Sequence, residues 1–307
     1  MKTSYIVNPN AGCRRAARLW PEIRRTIQGR AGDWDALPTR APGHASALAE
    51  QAASDGAGRL VCVGGDGTLN EVVNGLMRSP EGIREGLLLG YIPCGTGCDF
   101  ARSLGLPANP LEAAALAAAG GESRMIDVGR LAFHGSDGRR VHAHFLNVAS
   151  FGLGGEVDER VNRGSKAMGG FLSFIAATLI SLVLYRAKEI RLRVDGGPAL
   201  TCRALNVAVA NGQYHGGGMW VARDARLDDG LFNIVVIGDL TLPQVFRHLP
   251  KLYDGRLNSV PRVRVTRGSR VEAWSPDRVL LDVDGEQPGR LPLVAEIIPR
   301  AVRIVTA

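Results

Sequence analysis

The stretch best suited to chemistry is Val61-Cys-Val-Gly-Gly-Asp-Gly-Thr-Leu-Asn-Glu71. A short apolar strand is followed by glycines around an aspartate, and apolar residues then recur at helical spacing from Leu69. The N–H groups and dipole at the start of such a helix attract an anion, and the glycines let a phosphate approach the backbone. Asp66 would repel that phosphate unless a divalent cation lies between them or the carboxylate handles a proton. The pattern therefore predicts a site for a nucleotide phosphate and a metal ion.

Common phosphate-binding motifs do not account for this stretch. The chain contains no G-x-x-x-x-G-K-[ST], and the third glycine of the dinucleotide fingerprint is missing. Thr68 is the predicted N-cap of the helix. The simpler interpretation is a plain turn between a strand and a helix, but the embedded acid favours a functional site.

Three further turns have a related composition. Residues 8–12, Asn-Pro-Asn-Ala-Gly, follow the first predicted strand and precede a helix, although a simple turn explains them equally well. Residues 95–100 repeat the same plan after a later strand, with Asp99 charging the first turn of the next helix. Residues 284–286, Asp-Gly-Glu, follow an apolar strand. Their two carboxylates suit metal binding or proton acceptance, and a hairpin turn explains the same tripeptide.

The elements that position these turns alternate between strand and helix in the first third of the chain. Strands are predicted at 4–7, 34–37, 60–63 and 87–92, with helices at 13–27, 43–53 and from 68 onward. This alternation predicts a parallel sheet covered by helices, in which ligands bind at the carboxyl ends of the strands. Each glycine-rich turn follows a strand, so we expect these turns to gather at one edge of the sheet.

The character of the chain changes after an alanine-rich helix at 111–119 and a glycine pair at 120–121. Strand-like runs now dominate, and the structure they predict is a mostly antiparallel β domain. These runs cover residues 125–131, 141–148, 190–194, 205–210, 231–237, 260–266, 270–274 and 279–283.

Length and composition fit a globular protein of two domains. The chain has 307 residues, of which 45% are hydrophobic and 22% are charged. The net charge of +7 comes almost entirely from scattered Arg, which suits anionic lipid surfaces or phosphorylated ligands and equally reflects compositional bias. Aromatic residues make up only 6% and do not interleave with the basic ones, which argues against nucleic-acid binding.

Three sequence features bear on the cellular compartment. The five cysteines form no C-x-x-C pair and are predicted to be free thiols in a reducing cytosol, although Cys94 and Cys98 have the spacing of half a metal site. The apolar run near the N-terminus is too short for a signal peptide. Residues 167–185 carry no charge and are long enough for a membrane span. We interpret them first as a buried helix, second as an interfacial helix and last as a span.

Taken in order, these stretches resemble the diacylglycerol kinase catalytic family, which includes bacterial lipid kinases and sphingosine kinases. The resemblance covers nearly the whole chain and rests on residues 8–12, 64–71, 95–102, 228–231 and 284–286. It implies a Rossmann-like parallel α/β nucleotide-binding domain over residues 1–121. A mostly antiparallel, β-sandwich-like lipid-binding domain would follow over residues 122–307, with a cleft between the two.

The resemblance also implies roles for individual residues. Glu286 would be the general base, and Asp66 and Asp284 would organise a catalytic Mg²⁺. A second, structural Mg²⁺ would be held by the Asp229 carboxylate and by the backbone carbonyls of Arg226 and Leu231. The implied nucleotide contacts are Asn8, Pro9, Asn10, Ala11, Gly12, Thr39, Gly65, Asp66, Gly67, Thr68, Leu69, Asn70, Glu71 and Thr96.

One residue departs from the family pattern. The family usually has Asn at the position of Cys98, so a thiol with weak hydrogen-bonding capacity replaces an amide near Thr96.

The implied activity is a Mg²⁺-dependent transfer of the γ-phosphate of ATP to a lipid hydroxyl. The lipid substrate would be met at a membrane surface by a cytoplasmic protein, peripheral at the inner membrane face. No nucleic acid or protein partner is expected, and a homodimer is left open. Two alternatives remain: a soluble-metabolite kinase of the NAD kinase type, which shares the Gly-Gly-Asp-Gly-Thr turn, and a non-catalytic nucleotide- or lipid-binding protein on the same fold. The sequence does not identify the lipid.

Overall fold

A computed structural model describes residues 2–30, 32–163, 178 and 180–306. The chain forms two compact units: Met1–Val128 with Ile298–Ala307, and Gly129–Ile297. The boundary expected from the sequence lay between residues 121 and 122, with every later residue in the second domain. The last residues belong instead to the first unit because the end of strand β16 (Gly289–Thr306) pairs in parallel with strand β4 (Leu88–Pro93).

The first unit is built on a parallel sheet. Its other strands are β1 (Thr3–Val7), β2 (Trp34–Pro38) and β3 (Arg59–Gly64), and the order across the sheet is β16-β4-β3-β1-β2. The helices are α1 (Ala11–Gln28), α2 (His44–Ser54), α3 (Asp66–Leu76), α4 (Glu81–Gly86), α5 (Asp99–Leu104) and α6 (Pro110–Ala119). The predicted parallel α/β fold is confirmed.

The strand order reverses between β1 and β3. The chain leaves β1 for the edge strand β2 and then returns to the other side of β1 to form β3. Ligands of open α/β sheets bind at such a reversal, outside the carboxyl ends of the strands. The carboxyl ends of β1 and β3 carry the turns at 8–12 and 64–68, so the fold places both predicted phosphate turns at this point.

The core of the first unit holds these strand ends in place. Tyr5, Val61 and Ile92 lie fully buried on neighbouring strands, and Ile23 and Ile27 of α1 pack against them. Burying a side chain of this size contributes about 1.5–3 kcal/mol. The apolar alternation that predicts the strands is therefore the feature that fixes the positions of the turns.

The second unit is antiparallel. Its strands are β5 (Glu122–Gly135, which begins in the first unit), β6 (Arg140–Phe145), β7 (Val148–Gly152), β8 (Lys188–Val194), β9 (Leu200–Ala210), β10 (Tyr214–His215), β11 (Met219–Trp220), β12 (Phe232–Gly238), β13 (Val263–Gly268), β14 (Arg270–Trp274) and β15 (Leu281–Val283). Antiparallel pairs join β13-β12-β9-β8-β14-β16, and β7 pairs with both β9 and β15. The predicted antiparallel β-rich domain is confirmed.

Helices are a minor part of this unit. Among the described residues they are α7 (Leu153–Arg163), α8 (Leu242–His248) and the 3₁₀ turns Leu249–Leu252 and Leu257–Ser259, and residues 180–184 are also helical. The core contains Phe145 and Phe232, whose rings stack with centroids 5.5 Å apart. Most of the uncharged segment 167–185 lies outside the described residues. Within the part of the chain that is described, each helix is too short or too polar to cross a membrane.

Two predicted elements are wrong in detail. The single strand expected over 141–148 is divided into β6 and β7, because the N–H groups of Leu146 and Asn147 donate to the Asp284 carboxylate instead of to a neighbouring strand. The helix expected from Cys13 has left-handed backbone angles at Cys13 and Arg14. A right-handed helix tolerates no such residues, so its regular part starts later.

Candidate functional site

The Asn8 side chain joins the two turns at the reversal of the strand order. Its amide Nδ2 donates to the Thr68 hydroxyl at 2.8 Å, and its Oδ1 accepts from the Asn10 N–H at 3.0 Å. The N–H of Asn8 donates to the Val63 carbonyl at 2.9 Å. The prediction that Thr68 is an N-cap is wrong, because α3 begins at Asp66 with Gly65 as its N-cap. Thr68 lies one turn further on, where its hydroxyl accepts the bond from Asn8.

The turn at 8–12 packs against the end of β4 through glycine. Gly12 has a φ of 58°, and a Cβ added there would lie 2.2 Å from the carbonyl oxygen of Cys94. Only glycine fits a position that requires both a left-handed backbone and so close an approach. The sequence marked Gly12 as part of a turn, and the contact with Cys94 shows why the residue is required.

The turns after β3 and β4 meet backbone to backbone. A Cβ added to Gly95 would lie 2.6 Å from the Cα of Gly65, and the N–H of Cys94 donates to the Gly64 carbonyl at 2.7 Å. The three glycine turns of the first unit therefore adjoin one another at the carboxyl edge of the sheet, as expected from their positions after strands.

Asp66 is bound to the start of another helix. Its Oδ2 accepts from the N–H of Asp99 at 2.9 Å, and its Oδ1 accepts from the N–H of Phe100 and the Tyr91 hydroxyl, both at 3.3 Å. The N-cap of α5 is Cys98, which makes no capping bond of its own. Asp66 supplies that cap from a different turn, and its charge also favours the helix N-terminus.

Glu71 has the same kind of role at α2. Its Oε1 accepts from the N–H of Gly43 at 2.8 Å and its Oε2 from the N–H of Ala45 at 3.1 Å. The N-cap of α2 is Gly43, which has no side chain to satisfy these groups. Both acids of the run 64–71 thus connect α3 to a neighbouring helix. The predicted nucleotide contact of Glu71 stays a prediction.

The remaining predicted nucleotide residues lie around the same edge. Thr39 follows β2 and its N–H donates to the Val7 carbonyl at 2.8 Å. Thr96 is exposed at the turn after β4, and Asn70 accepts a bond from the Asn74 side chain at 2.9 Å. Leu69 is fully buried in the core, so any contact that it makes with a nucleotide involves its backbone.

Cys98 occupies a left-handed backbone position. Its φ is 53° and its ψ is 42°, a conformation that Asn adopts several-fold more readily than most residues. Burial, assisted by the Asp66 carboxylate, raises the pKa of the Cys98 thiol to about 11, so the thiol is uncharged at neutral pH. All five cysteines are free, as predicted. Asn, the usual residue of the family at this position, therefore suits this backbone conformation better than Cys98 does.

Asp284 and Glu286 stand on a tight turn of the second unit. The N–H of Glu286 donates to the Val283 carbonyl at 3.1 Å, and Asp284 and Gly285 have φ values of 49° and 90°. Positive φ at both central residues is typical of a type I′ hairpin turn, for which Asp-Gly is a preferred pair. The hairpin interpretation of the tripeptide is therefore correct for its backbone, and Glu286 is exposed at the end of the turn.

The Asp284 side chain fixes this turn to the neighbouring chain segment. Its Oδ2 accepts from the N–H of Leu146 at 2.9 Å, and its Oδ1 accepts from the N–H groups of Asn147 and Val148 at 3.0 Å each. Three N–H donors on one carboxylate make a rigid attachment and partly neutralise its charge.

A cluster of buried acids beside this turn is not predicted by the sequence. Asp282 is 2% exposed, and its Oδ2 lies 2.6 Å from Nε2 of His215 and 3.4 Å from the Ser150 hydroxyl. Its Oδ1 accepts from the N–H of Gly285 at 3.0 Å. The available signal was an aspartate inside the apolar run 279–283, where an unpaired charge would be costly.

Asp158 is the second acid of this cluster, and the pKa values of Asp158 and Asp282 shift in opposite directions. Burial, followed by the charge of Asp282, raises the pKa of Asp158 to about 9, so Asp158 holds a proton at neutral pH. Burial alone would raise the pKa of Asp282 as well, but the charge and hydrogen bond of His215 lower it below its ordinary value. Two carboxyl groups in one site thus carry a single negative charge between them.

The structural Mg²⁺ site implied for the Asp229 carboxylate and the backbone carbonyls of Arg226 and Leu231 stays a prediction. The Asp229 Oδ2 pairs with the Arg267 guanidinium, and its Oδ1 accepts from the Leu231 N–H at 3.1 Å. A cation already balances the carboxylate, while the Arg226 side chain pairs with Asp228. Across the described parts of the chain, no three His, Cys, Asp or Glu side chains cluster as metal ligands.

The predicted site residues fall in both units. Those at 8–12, 39, 65–71 and 96 surround the carboxyl edge of the parallel sheet in the first unit. Those at 226–231, 284 and 286 lie in the second.

Comparisons with known proteins agree with this architecture. The model of the diacylglycerol kinase catalytic domain matches residues 2–131, and that of the YegS C-terminal NAD kinase beta sandwich-like domain matches residues 147–306. The chain belongs to the diacylglycerol kinase catalytic-domain family. Membership identifies it, at the level of the family, as a kinase.

Individual relatives span most of the chain. The diacylglycerol kinase of Bacillus subtilis (strain 168) is 29% identical over 293 residues, which cover 95% of this chain and 92% of that protein. The diacylglycerol kinase of Staphylococcus carnosus (strain TM300) is 28% identical over 291 residues, 95% of this chain and 90% of that protein. A crystal structure from Bacillus anthracis strain Sterne is 26% identical with a TM-score of 0.80, covering 100% of this chain and 95% of that one.

The NAD kinase alternative has a weaker likeness. An Archaeoglobus fulgidus NAD kinase in complex with ATP has a TM-score of 0.50 at 15% identity, covering 100% of this chain and 94% of that one. This likeness concerns the fold alone.

Proposed function

We propose that this protein transfers the γ-phosphate of ATP to the hydroxyl of a lipid, diacylglycerol or a related one, in a Mg²⁺-dependent reaction. The observation that carries the proposal is the meeting of three glycine turns at the point where the strand order of the parallel sheet reverses. The family membership of this protein supports a lipid rather than a soluble acceptor, because its relatives include diacylglycerol kinases.

The first unit offers the nucleotide a backbone site. The N-terminus of α3 follows Gly64 and Gly65, whose lack of side chains suits an approaching phosphate. Asn8 and Thr68, hydrogen-bonded to each other, fix the distance between the first two turns. Phosphoryl transfer requires mainly that the donor is positioned and its charge neutralised, and a preformed backbone site meets the first requirement.

Asp66 of the first unit and Asp284 of the second are, each on its own, candidate ligands of a catalytic Mg²⁺. Mg²⁺ usually retains water and takes one or two carboxylates together with phosphate oxygens, so isolated acids fit it without a dedicated cluster. When bound, it would neutralise charge on the transferring phosphate. Both carboxylates are already oriented by backbone N–H groups, so neither has to be ordered when the ion arrives.

Glu286 is the proposed general base. Its carboxylate stands at the exposed end of a turn that both Asp282 and Asp284 fasten, which suits a group that must meet an incoming hydroxyl. As the new P–O bond forms, the carboxylate accepts the proton that the lipid hydroxyl loses.

A groove in the second unit, lined by apolar side chains together with Arg186, Asp239 and Thr241, is our candidate for the acyl part of the lipid. Leu153, Leu205, Leu240 and Val245 contribute to its lining. Nearby on the chain, Phe246 and Tyr253 are about half exposed. Apolar side chains exposed in this way suit contact with a membrane surface. These side chains support our proposal that the protein is peripheral at the inner membrane face, and a cytoplasmic location stays a prediction.

Labelling with γ-³²P-ATP tests the activity. Diacylglycerol in mixed micelles and NAD are offered in parallel, and we expect label in the lipid only. Glu286→Gln should lower turnover by about 10²–10⁴-fold and leave the affinity for ATP nearly unchanged. Glu189→Gln, a partly buried acid of the same unit that pairs with Arg191, serves as the control. Label in NAD alone would favour the soluble-metabolite kinase, and binding of ATP without turnover on any lipid would favour the non-catalytic protein.

A further inference from the structure

The backbone of the turn that carries Glu286 is fastened from inside the second unit by Asp282. The Gly285 N–H, which immediately precedes Glu286, donates to Asp282 Oδ1 at 3.0 Å. The other oxygen of Asp282 bonds to His215 Nε2 at 2.6 Å. Because an ionised carboxylate only accepts, His215 is the donor in this bond. A continuous chain of hydrogen bonds thus runs from His215 through Asp282 to the turn.

These hydrogen bonds leave the Asp282 side chain little freedom to move. The side chain is almost completely buried. Asp282 lies directly opposite Ser150 in the β15–β7 pair, and the Ser150 hydroxyl is 3.4 Å from Asp282 Oδ2. His215 is 16% exposed and belongs to the short hairpin β10–β11. A buried carboxylate needs such partners, because its charge would otherwise be unsatisfied.

We propose that His215 and Asp282 are positioning residues for phosphoryl transfer: His215 holds the Asp282 carboxylate, which holds the Gly285 N–H and so aims the Glu286 carboxylate. This inference rests on the proposed role of Glu286 as the general base. Neither residue touches the reacting atoms, and their effect reaches the reaction only through the turn.

The expected consequence is a loss of turnover without a loss of nucleotide binding. His215→Phe removes the short bond to Asp282 Oδ2 and leaves the bonds from Ser150 and Gly285. Asp282 is then held less firmly, so the turn and the Glu286 carboxylate can shift. A displacement of about 1 Å lowers catalysis by up to about 100-fold, so we expect kcat to fall between about 10-fold and 100-fold while KM for ATP stays within about twofold. His215→Gln keeps an N–H donor and should recover most of the lost turnover.

A double-mutant comparison separates positioning from a general structural role. If His215 acts only by aiming Glu286, then His215→Phe should have no further effect on the residual turnover of Glu286→Gln. His142→Phe, an exposed histidine of β6, is the matched control and should behave as the wild type. Circular dichroism checks that each variant is folded at the assay temperature, and His215→Asn, with its shorter polar side chain, replaces His215→Phe if the latter is not.

Amide hydrogen exchange at Gly285 gives a readout independent of activity. We expect slow exchange in the wild type, in His142→Phe and in Glu286→Gln, and faster exchange in His215→Phe. Equal exchange, equal kcat, or a further loss in the Glu286→Gln background would overturn the inference. If Glu286→Gln retains full turnover, or no lipid is labelled, the proposed function fails instead, and the exchange of the Gly285 amide still decides whether His215 holds the turn.

Discussion

Replacing Asp66 by Asn separates the structural role of its carboxylate from its proposed role at the metal. The side chain keeps its size, but one acceptor oxygen becomes an NH₂ donor. In one orientation of the new amide this NH₂ group faces the Asp99 N–H. In the other orientation it faces the Phe100 N–H and the Tyr91 hydroxyl. At least one N–H at the start of α5 then loses its partner.

The size of the effect follows from these contacts. A hydrogen bond to a charged group contributes about 1.5–3 kcal/mol, and Asp66 is only partly buried, so we expect a loss near the low end, about 2 kcal/mol. For a chain of this size each kcal/mol lowers Tm by about 2–4 °C, which predicts a decrease of about 4–8 °C.

Thermal unfolding without nucleotide measures this effect apart from catalysis. Asp33→Asn, an exposed acid of the same unit, is the control and should leave Tm unchanged. A separate assay at 25 °C, where both proteins remain folded, measures the effect on Mg²⁺ and ATP. An Asp66→Asn protein that melts with the wild type would show that the carboxylate does not stabilise α5, and the capping argument would then be wrong.

Four other perturbations have expected outcomes. Gly12→Ala should destabilise the protein by more than about 2 kcal/mol in denaturant unfolding, because a Cβ would lie 2.2 Å from a backbone carbonyl oxygen; full stability would refute the contact. Cys98→Asn should raise stability by about 1 kcal/mol, since Asn better tolerates the left-handed conformation, and an unchanged midpoint would argue against strain. Because the pKa of Asp158 is raised, the folded chain retains a proton that the unfolded chain releases. This group should therefore lower the stability as pH rises from 3.8 to about 9. Asp158→Asn should flatten the dependence of Tm on pH over that range. Because Arg267 balances Asp229, EDTA should not lower Tm of the wild type, whereas Mg²⁺ should raise Tm of Arg267→Ala if the ion and the guanidinium compete for one carboxylate.

The sequence allowed the fold and the grouping of the glycine turns to be predicted because both depend on local patterns. Apolar alternation marked the strands, and each turn followed a strand, which was enough to bring three turns to one edge. The helix starts were less certain. Thr68 has a residue type that is common at the N-cap, but in the structure its hydroxyl accepts a hydrogen bond from Asn8, 60 residues away. Local sequence propensity cannot predict so distant a partner.

The same limit explains the unpredicted cluster around Asp282. Its bond to His215 joins positions 67 residues apart, and the pairing of β15 with β7 is what brings Ser150 opposite. His215 stands in a glycine-rich stretch that the sequence alone presents as a loop. A polar residue within an apolar strand signals that partners exist, but only the strand register identifies them.

The two aspartates assigned to the catalytic metal share an arrangement that changes how their variants should be interpreted. Asp66 accepts from two backbone N–H groups and a hydroxyl, and Asp284 accepts from three backbone N–H groups. A carboxylate has about four lone-pair positions, so in each case most of its hydrogen-bonding capacity serves the frame of the turn. Replacing either acid therefore disturbs the position of neighbouring groups as well as any bond to Mg²⁺. A loss of activity in such a variant is evidence for metal binding only when it persists under conditions where the variant, like the wild type, is fully folded and exceeds what the shift of neighbouring groups explains.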